Sequence, residues 1–216
     1  TSYGNVDWAV DEVMTDLIAK GAVREAIVVG IWNTSKRRDE YMPQRPVRGK
    51  IKFNVPGAED LDAADIVSDH YLEFMVKELK PFIDATYRTL PGRADTLVMG
   101  SSMGGLISQY AMSRYPDVFG GAGCVSTHWP AGNGIALDDF AAHLPDPATH
   151  KYWFDYGTAT LDALYEPYQQ RADEILHRAG YVEGRNWVTR KFDGAEHSEK
   201  AWRVRVQQPL EFLLGH

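Results

Sequence analysis

The 216-residue chain is poor in several things, and each shortage narrows what it can be. It has one cysteine, Cys124, so no internal disulfide is available; in the small apolar stretch "GGAGCVS" that thiol is expected to be buried and structural. No apolar run approaches the roughly 18 residues that cross a bilayer. Basic side chains are outnumbered, 23 against 30, which weighs against a nucleic-acid backbone or an anionic membrane as the partner. His, Cys, Asp and Glu nowhere cluster at metal-ligand spacing, so metal-independent chemistry without a cofactor is expected. Repeats and low-complexity tracts are absent, and the start at Thr1 says nothing of targeting.

What is present suits one globular domain, because 44% hydrophobic and 12% aromatic residues supply a sizeable core. Five short apolar runs read as strands, at 25–33, 96–99, 121–126, 151–157 and 186–192. They alternate with helical patterns at 5–21, 63–79, 103–115, 162–179 and 198–214. Asn5 is the expected cap and Gly21 the expected stop of the first helix, while Pro81 is expected to end the second. The alternation predicts an α/β fold with helices layered on a mostly parallel sheet. Residues 127–150 read as a loop, a candidate lid or pocket loop.

The stretch "TLVMGSSMGGL" then stands out. Gly100, Ser102 and Gly104 form G-x-S-x-G with a strand before and a helix after, the setting of a nucleophile elbow. A phosphate-binding loop is the rival, but no G-K-[ST] follows. A serine hydroxyl needs a base to become a nucleophile, and the base needs a partner that fixes its tautomer. His197 fits the base, on a short loop after a late strand in "NWVTRKFDGAEHSEKAW". His128 follows a strand at the same edge and is expected to line the pocket. Two carboxylates compete for the third role. Asp155 falls inside a strand and Asp162 in the turn beyond it, where ligands of parallel sheets gather; that favours Asp162, although it could instead cap the next helix. Glu166 is a distant third. The backbone N–H of Met103 is the expected oxyanion donor.

Nearly the whole chain resembles the esterase D or putative esterase family of the α/β hydrolases, in "YGNVDWAVDE", "IVVGIWNTSKRRDEYMP", "LVMGSSMGGL", "YWFDYGTATLDALYEPYQ" and "GAEHSEKAWRVRVQQPLEFLL". The resemblance implies an α/β-hydrolase three-layer sandwich and a Ser-Asp-His serine esterase. It maps directly onto Ser102 and His197 and carries the acid to Asp162. In the family, another strand precedes the first helix, and its turn supplies the other oxyanion donor. Matching the five strands here to the family's fourth to eighth leaves the third missing between 25–33 and 96–99. The expectation is that this chain is the downstream part of a longer protein, or that another segment or partner chain fills the gap; a rearranged sheet is the alternative. Trp32, Arg37, His128 and Trp129 are expected to line a site for a small or carbohydrate-linked ester. A non-catalytic binding or scaffolding protein, or an acyltransferase using the same triad, is the alternative function.

Overall fold

The computed structural model describes residues 6–215. Two very short strands, β1 (Lys50–Ile51) and β2 (Leu61–Asp62), form a separate antiparallel pair. The centre is a parallel sheet of β3 (Leu97–Ser101), β4 (Gly121–Val125), β5 (Lys151–Gly157) and β6 (Trp187–Phe192), in the order β3-β4-β5-β6. Ser101 lies opposite Val125, Val125 opposite Asp155 and Asp155 opposite Arg190, so the carboxyl ends line up along one edge. β4 is buried throughout and β5 nearly so, which is why both read as near-continuous apolar runs.

Nine helices pack around the sheet among the described residues: α1 (Val10–Ala19), α2 (Arg37–Tyr41), α3 (Ser68–Phe74), α4 (Lys80–Thr86), α5 (Met103–Arg114), α6 (Ile135–Ala142), α7 (Glu166–Arg178), α8 (Glu199–Arg205) and α9 (Gln207–Leu214). On one face Leu106, Tyr110, Trp129, Phe140, Phe154 and Leu176 join α5, α6 and α7 to the sheet. On the other, Trp8, Leu17, Val125, Trp202 and Leu213 gather α1, α8 and α9. Close approach on this second face depends on Gly123, where a Cβ would meet Met99 Cγ at 2.8 Å and Leu213 Cδ1 at 3.2 Å. The expected stop of α1 is present, with Gly21 at φ 66° and Ala22 N donating to Leu17 O at 3.0 Å. Asn5, the expected cap, lies outside the described residues.

Three elements depart from the sequence reading. Residues 25–33 are not a strand: they join no ladder among the described residues, and Ile27, Val28 and Val29 are 50, 56 and 40% exposed. Backbone groups become a strand only when a neighbour supplies their partners, and among the described residues β3 ends the sheet with nothing paired along its outer edge. The sheet does not rearrange to close that position. The second helical stretch runs through Pro81 to Thr86 instead of stopping. A π-helical turn at Met75–Leu79 runs directly into α4, with Lys80 N donating to Met75 O, and Pro81 follows as the second residue of α4. Residues 127–150 are not one outer loop: residues 127–131 are buried and α6 follows them into the core.

Candidate active site

Every side chain of the site leaves the carboxyl edge of the sheet, where strand ends bring separate loops together. Ser102 follows β3 directly. It takes φ 57° and ψ −119°, a costly conformation for a residue with a side chain, and heads α5. A Cβ at Gly100 would lie 2.7 Å from Gly104 O, so only glycine lets the strand pass its own helix this closely. Gly104 itself has room for a Cβ; the second cramped position is Gly105, whose Cβ would meet Thr127 Oγ1 at 2.6 Å. Ser102 N donates to Val125 O at 2.9 Å and His128 N to Ser102 O at 3.1 Å, pinning the turn to the neighbouring loop. Met103 opens the helix, so its N–H has no intrahelical acceptor.

His197 sits between β6 and α8. Its loop lies on the loop after β5: His197 N donates to Thr160 Oγ1 at 2.9 Å, and Thr158 N and Ala159 N both donate to Ala195 O. This contact needs Gly157, because a Cβ there would lie 2.1 Å from Ala195 O. The imidazole stands edge-on to Trp202 at 4.9 Å and to Tyr165 at 5.6 Å between ring centres. Its Nε2 is 2.9 Å from Ser102 Oγ and its Nδ1 2.5 Å from Asp162 Oδ1. Asp162 Oδ2 accepts from Gly157 N and from Ser126 Oγ, each at 2.6 Å. Burial alone would raise the Asp162 pKa, but the hydrogen bond and charge of His197, with the Ser126 and Gly157 donors, hold it below the ordinary carboxylate value.

The structure therefore brings Ser102, His197 and Asp162 into one hydrogen-bonded row, and Asp155 stands elsewhere. Asp155 Oδ1 accepts from Arg205 Nη2 at 2.8 Å and Oδ2 from Trp153 Nε1 at 2.8 Å, and no contact joins it to His197.

The remaining expected site residues divide. His128 is fully buried directly behind the nucleophile. Its Nε2 is 2.9 Å from Phe53 O, which can only accept, so Nε2 carries the proton and Nδ1 accepts from Tyr165 OH at 2.7 Å. Burial chiefly pushes the His128 pKa down to about 4. Arg37 lies over the Tyr41 ring at 5.3 Å, and its charge reaches His128. Trp32 is 78% exposed within the unpaired stretch 25–33. Trp129 corrects the sequence reading, since it lies in the core between Phe140 and Phe154 with Nε1 donating to Gln169 Oε1 at 3.0 Å. Its loop turns inward, so its ring packs where a pocket wall was expected. Sequence reasoning missed Tyr165, whose hydroxyl meets His128 Nδ1 and whose ring stands edge-on to His197, and Ser126, whose hydroxyl meets Asp162. Neither belongs to a short motif, and only the fold brings them to the site. Cys124 is buried, and burial pushes its thiol pKa up, as suits a structural thiol.

With the geometry in place, comparison with known proteins adds the lineage. Residues 5–210 match the model of a family described as "Putative esterase". The "Uncharacterized protein YbbA" of Bacillus subtilis (strain 168) is 26% identical over 210 residues, which span 94% of this chain and 79% of that protein. Among solved structures, a ferulic acid esterase aligns with a TM-score of 0.62 at 18% identity, over 96% of this chain and 77% of that one. An IroE-like serine hydrolase from Shewanella oneidensis aligns with a TM-score of 0.69 at 16% identity, over 95% and 66% of the two chains. At these identities the structural likeness speaks for the α/β-hydrolase fold.

Proposed function

The chain belongs to the putative esterase family, and from that premise we propose that it is a serine-dependent carboxylic-ester hydrolase working through an acyl-enzyme. One observation carries the reading: the unbroken row from Asp162 through His197 to a serine hydroxyl raised on a strained elbow, at 2.5 and 2.9 Å. In the acylation step Ser102 Oγ attacks the ester carbonyl and its proton passes to His197 Nε2. Asp162 holds the Nδ1–H tautomer and stabilises the imidazolium. The carbonyl oxygen, now an anion, meets Met103 N–H at the positive end of the α5 dipole. Collapse expels the alcohol, which takes the proton from His197. Water then attacks the acyl-serine with His197 again as base, releasing the acid and restoring Ser102.

A second oxyanion donor completes such a site, and losing one costs about 10²–10³ in turnover. We assign it to a further segment or partner chain lying along the open outer edge of β3. For the substrate we propose a small or carbohydrate-linked ester. An open surface hollow bordered by Lys52, Asn54, Asp60, Pro130, Leu164 and Tyr168 supports this, since it pairs polar groups with an aromatic ring and takes Pro130 and Leu164 from the segments that carry His128 and Asp162. Hydrolysis of p-nitrophenyl acetate tests the reading. Turnover lost in Ser102→Ala supports it; turnover that persists in that variant overturns it.

A further inference from the structure

Directly after β4 the chain turns at Ser126 with φ 42°, a value that a residue with a side chain keeps only when its surroundings impose it. Its N–H donates to Asp155 O at 2.9 Å, tying the turn to β5. Its hydroxyl is fully buried, with Oγ 2.7 Å from Arg205 Nη2, 3.0 Å from Trp202 Nε1 and 2.6 Å from Asp162 Oδ2. Guanidinium and indole nitrogens only donate, so both lone pairs of the hydroxyl are taken. Its one proton has a single destination, the Asp162 carboxylate.

Arg205 is equally constrained. It is 4% exposed and lies against the Phe192 ring at 4.7 Å; Nη2 reaches both Ser126 and Asp155, while Nε and Nη1 have no partner among the described residues. A buried guanidinium with two idle donors is a poor stabilising device. Its one engaged nitrogen points at the group behind Asp162. We propose that Ser126, Arg205 and Asp155 are positioning residues that hold Asp162 anionic and fixed in orientation, so that it presents Oδ1 to His197. Ser126 and Gly157 N occupy Oδ2 and leave Oδ1 for the imidazole. This inference rests on the reading of Asp162 as the partner of His197.

The ionisable groups facing Asp162 are His197, Tyr165 and His128, with the Arg205–Asp155 pair behind Ser126. Removing the Ser126 hydroxyl leaves the carboxylate charge less dispersed and more available to an imidazolium, so the base keeps its proton to higher pH. Neutralising Asp155 leaves the Arg205 charge uncompensated and moves the titration the other way. A side chain that merely fills space shifts neither.

The experiment is an NMR titration of the His197 ring in the full chain, a readout that does not require turnover. It compares the parent with Ser126→Ala, Ser126→Gly and Asp155→Asn; the glycine variant relieves the positive φ and serves if the alanine variant does not fold. Both Ser126 variants are expected to raise the midpoint by about one pH unit, and Asp155→Asn to lower it. In parallel, kcat on p-nitrophenyl acetate should fall about tenfold in the Ser126 variants with KM little changed. A midpoint unmoved in folded Ser126 variants overturns the proposal, even if activity drops. Midpoint shifts in a parent protein that turns over no ester support the positioning relation and count against the esterase reading instead.

Discussion

Residues 25–33 and 96–99 read alike, as short apolar runs expected to be strands, yet the second lies in β3 and the first is no strand. β3 has β4 beside it, carries the elbow at its end and sets Ser102 against the loops that follow β4, β5 and β6. The stretch "EAIVVGIWN" joins no ladder among the described residues and leaves Ile27, Val28, Val29 and Trp32 exposed. Strand character is thus a property of neighbours as much as of residues. The proposed triad draws only on the paired side. Ser102, Asp162 and His197 lie beyond β3, β5 and β6, and Ser126 beyond β4.

Substitutions sharpen this contrast in decreasing order of effect. Ser102→Ala should lower kcat on a p-nitrophenyl ester by about 10⁴-fold or more with the fold intact, measured as turnover beside circular dichroism. Asp162→Asn should cost about 10³–10⁴ in kcat, while Asp155→Asn should cost about tenfold or less. The reverse ranking would overturn the assignment of the acid. Phe154→Ala, in the middle of β5, should destabilise by about 3–5 kcal/mol in urea unfolding, because it opens a cavity among Trp129, Phe140 and Tyr152.

Buried His128 supplies a pH test. Its pKa is about 4 in the folded chain against about 6.5 when unfolded, so between those values the unfolded state binds the extra proton. Stability therefore falls as pH drops from about 6.5 to about 4, by about 3 kcal/mol in all. His128→Gln should flatten that slope relative to the parent when urea midpoints are compared at pH 7 and 4.5. The smallest effect belongs to the unpaired side. Val28→Ser should change stability by less than about 0.5 kcal/mol. A loss as large as that of Phe154→Ala would mean that the 25–33 stretch is covered in solution, and the contrast between the two runs would fail.

Much of this molecule is readable from its residues because the signals are local. β4 and β5 are short apolar runs between turn residues, and the elbow is spelled by Gly100, Ser102 and Gly104 within five positions. His197 stands out by its place between a strand and the last helical stretch. What could not be read depends on long-range contacts. Asp155 and Trp153 share a face of β5 by strand alternation, but that this face meets Arg205 is a matter of how α8 docks, 50 residues further on. Ser126 and Arg205 are 79 residues apart and sit in no motif. Trp129 looks like a pocket residue only while 127–150 is read as an outer loop. Pro81 looks like a helix stop until the π turn before it is seen.

The central claim is that Ser102 is a nucleophile made reactive by His197. Intact-protein mass spectrometry after exposure to a fluorophosphonate at neutral pH tests it most directly. One adduct is expected, located on Ser102, absent in Ser102→Ala and formed far more slowly in His197→Ala. A folded parent protein that takes up no adduct, or takes it up unchanged in Ser102→Ala, would contradict it.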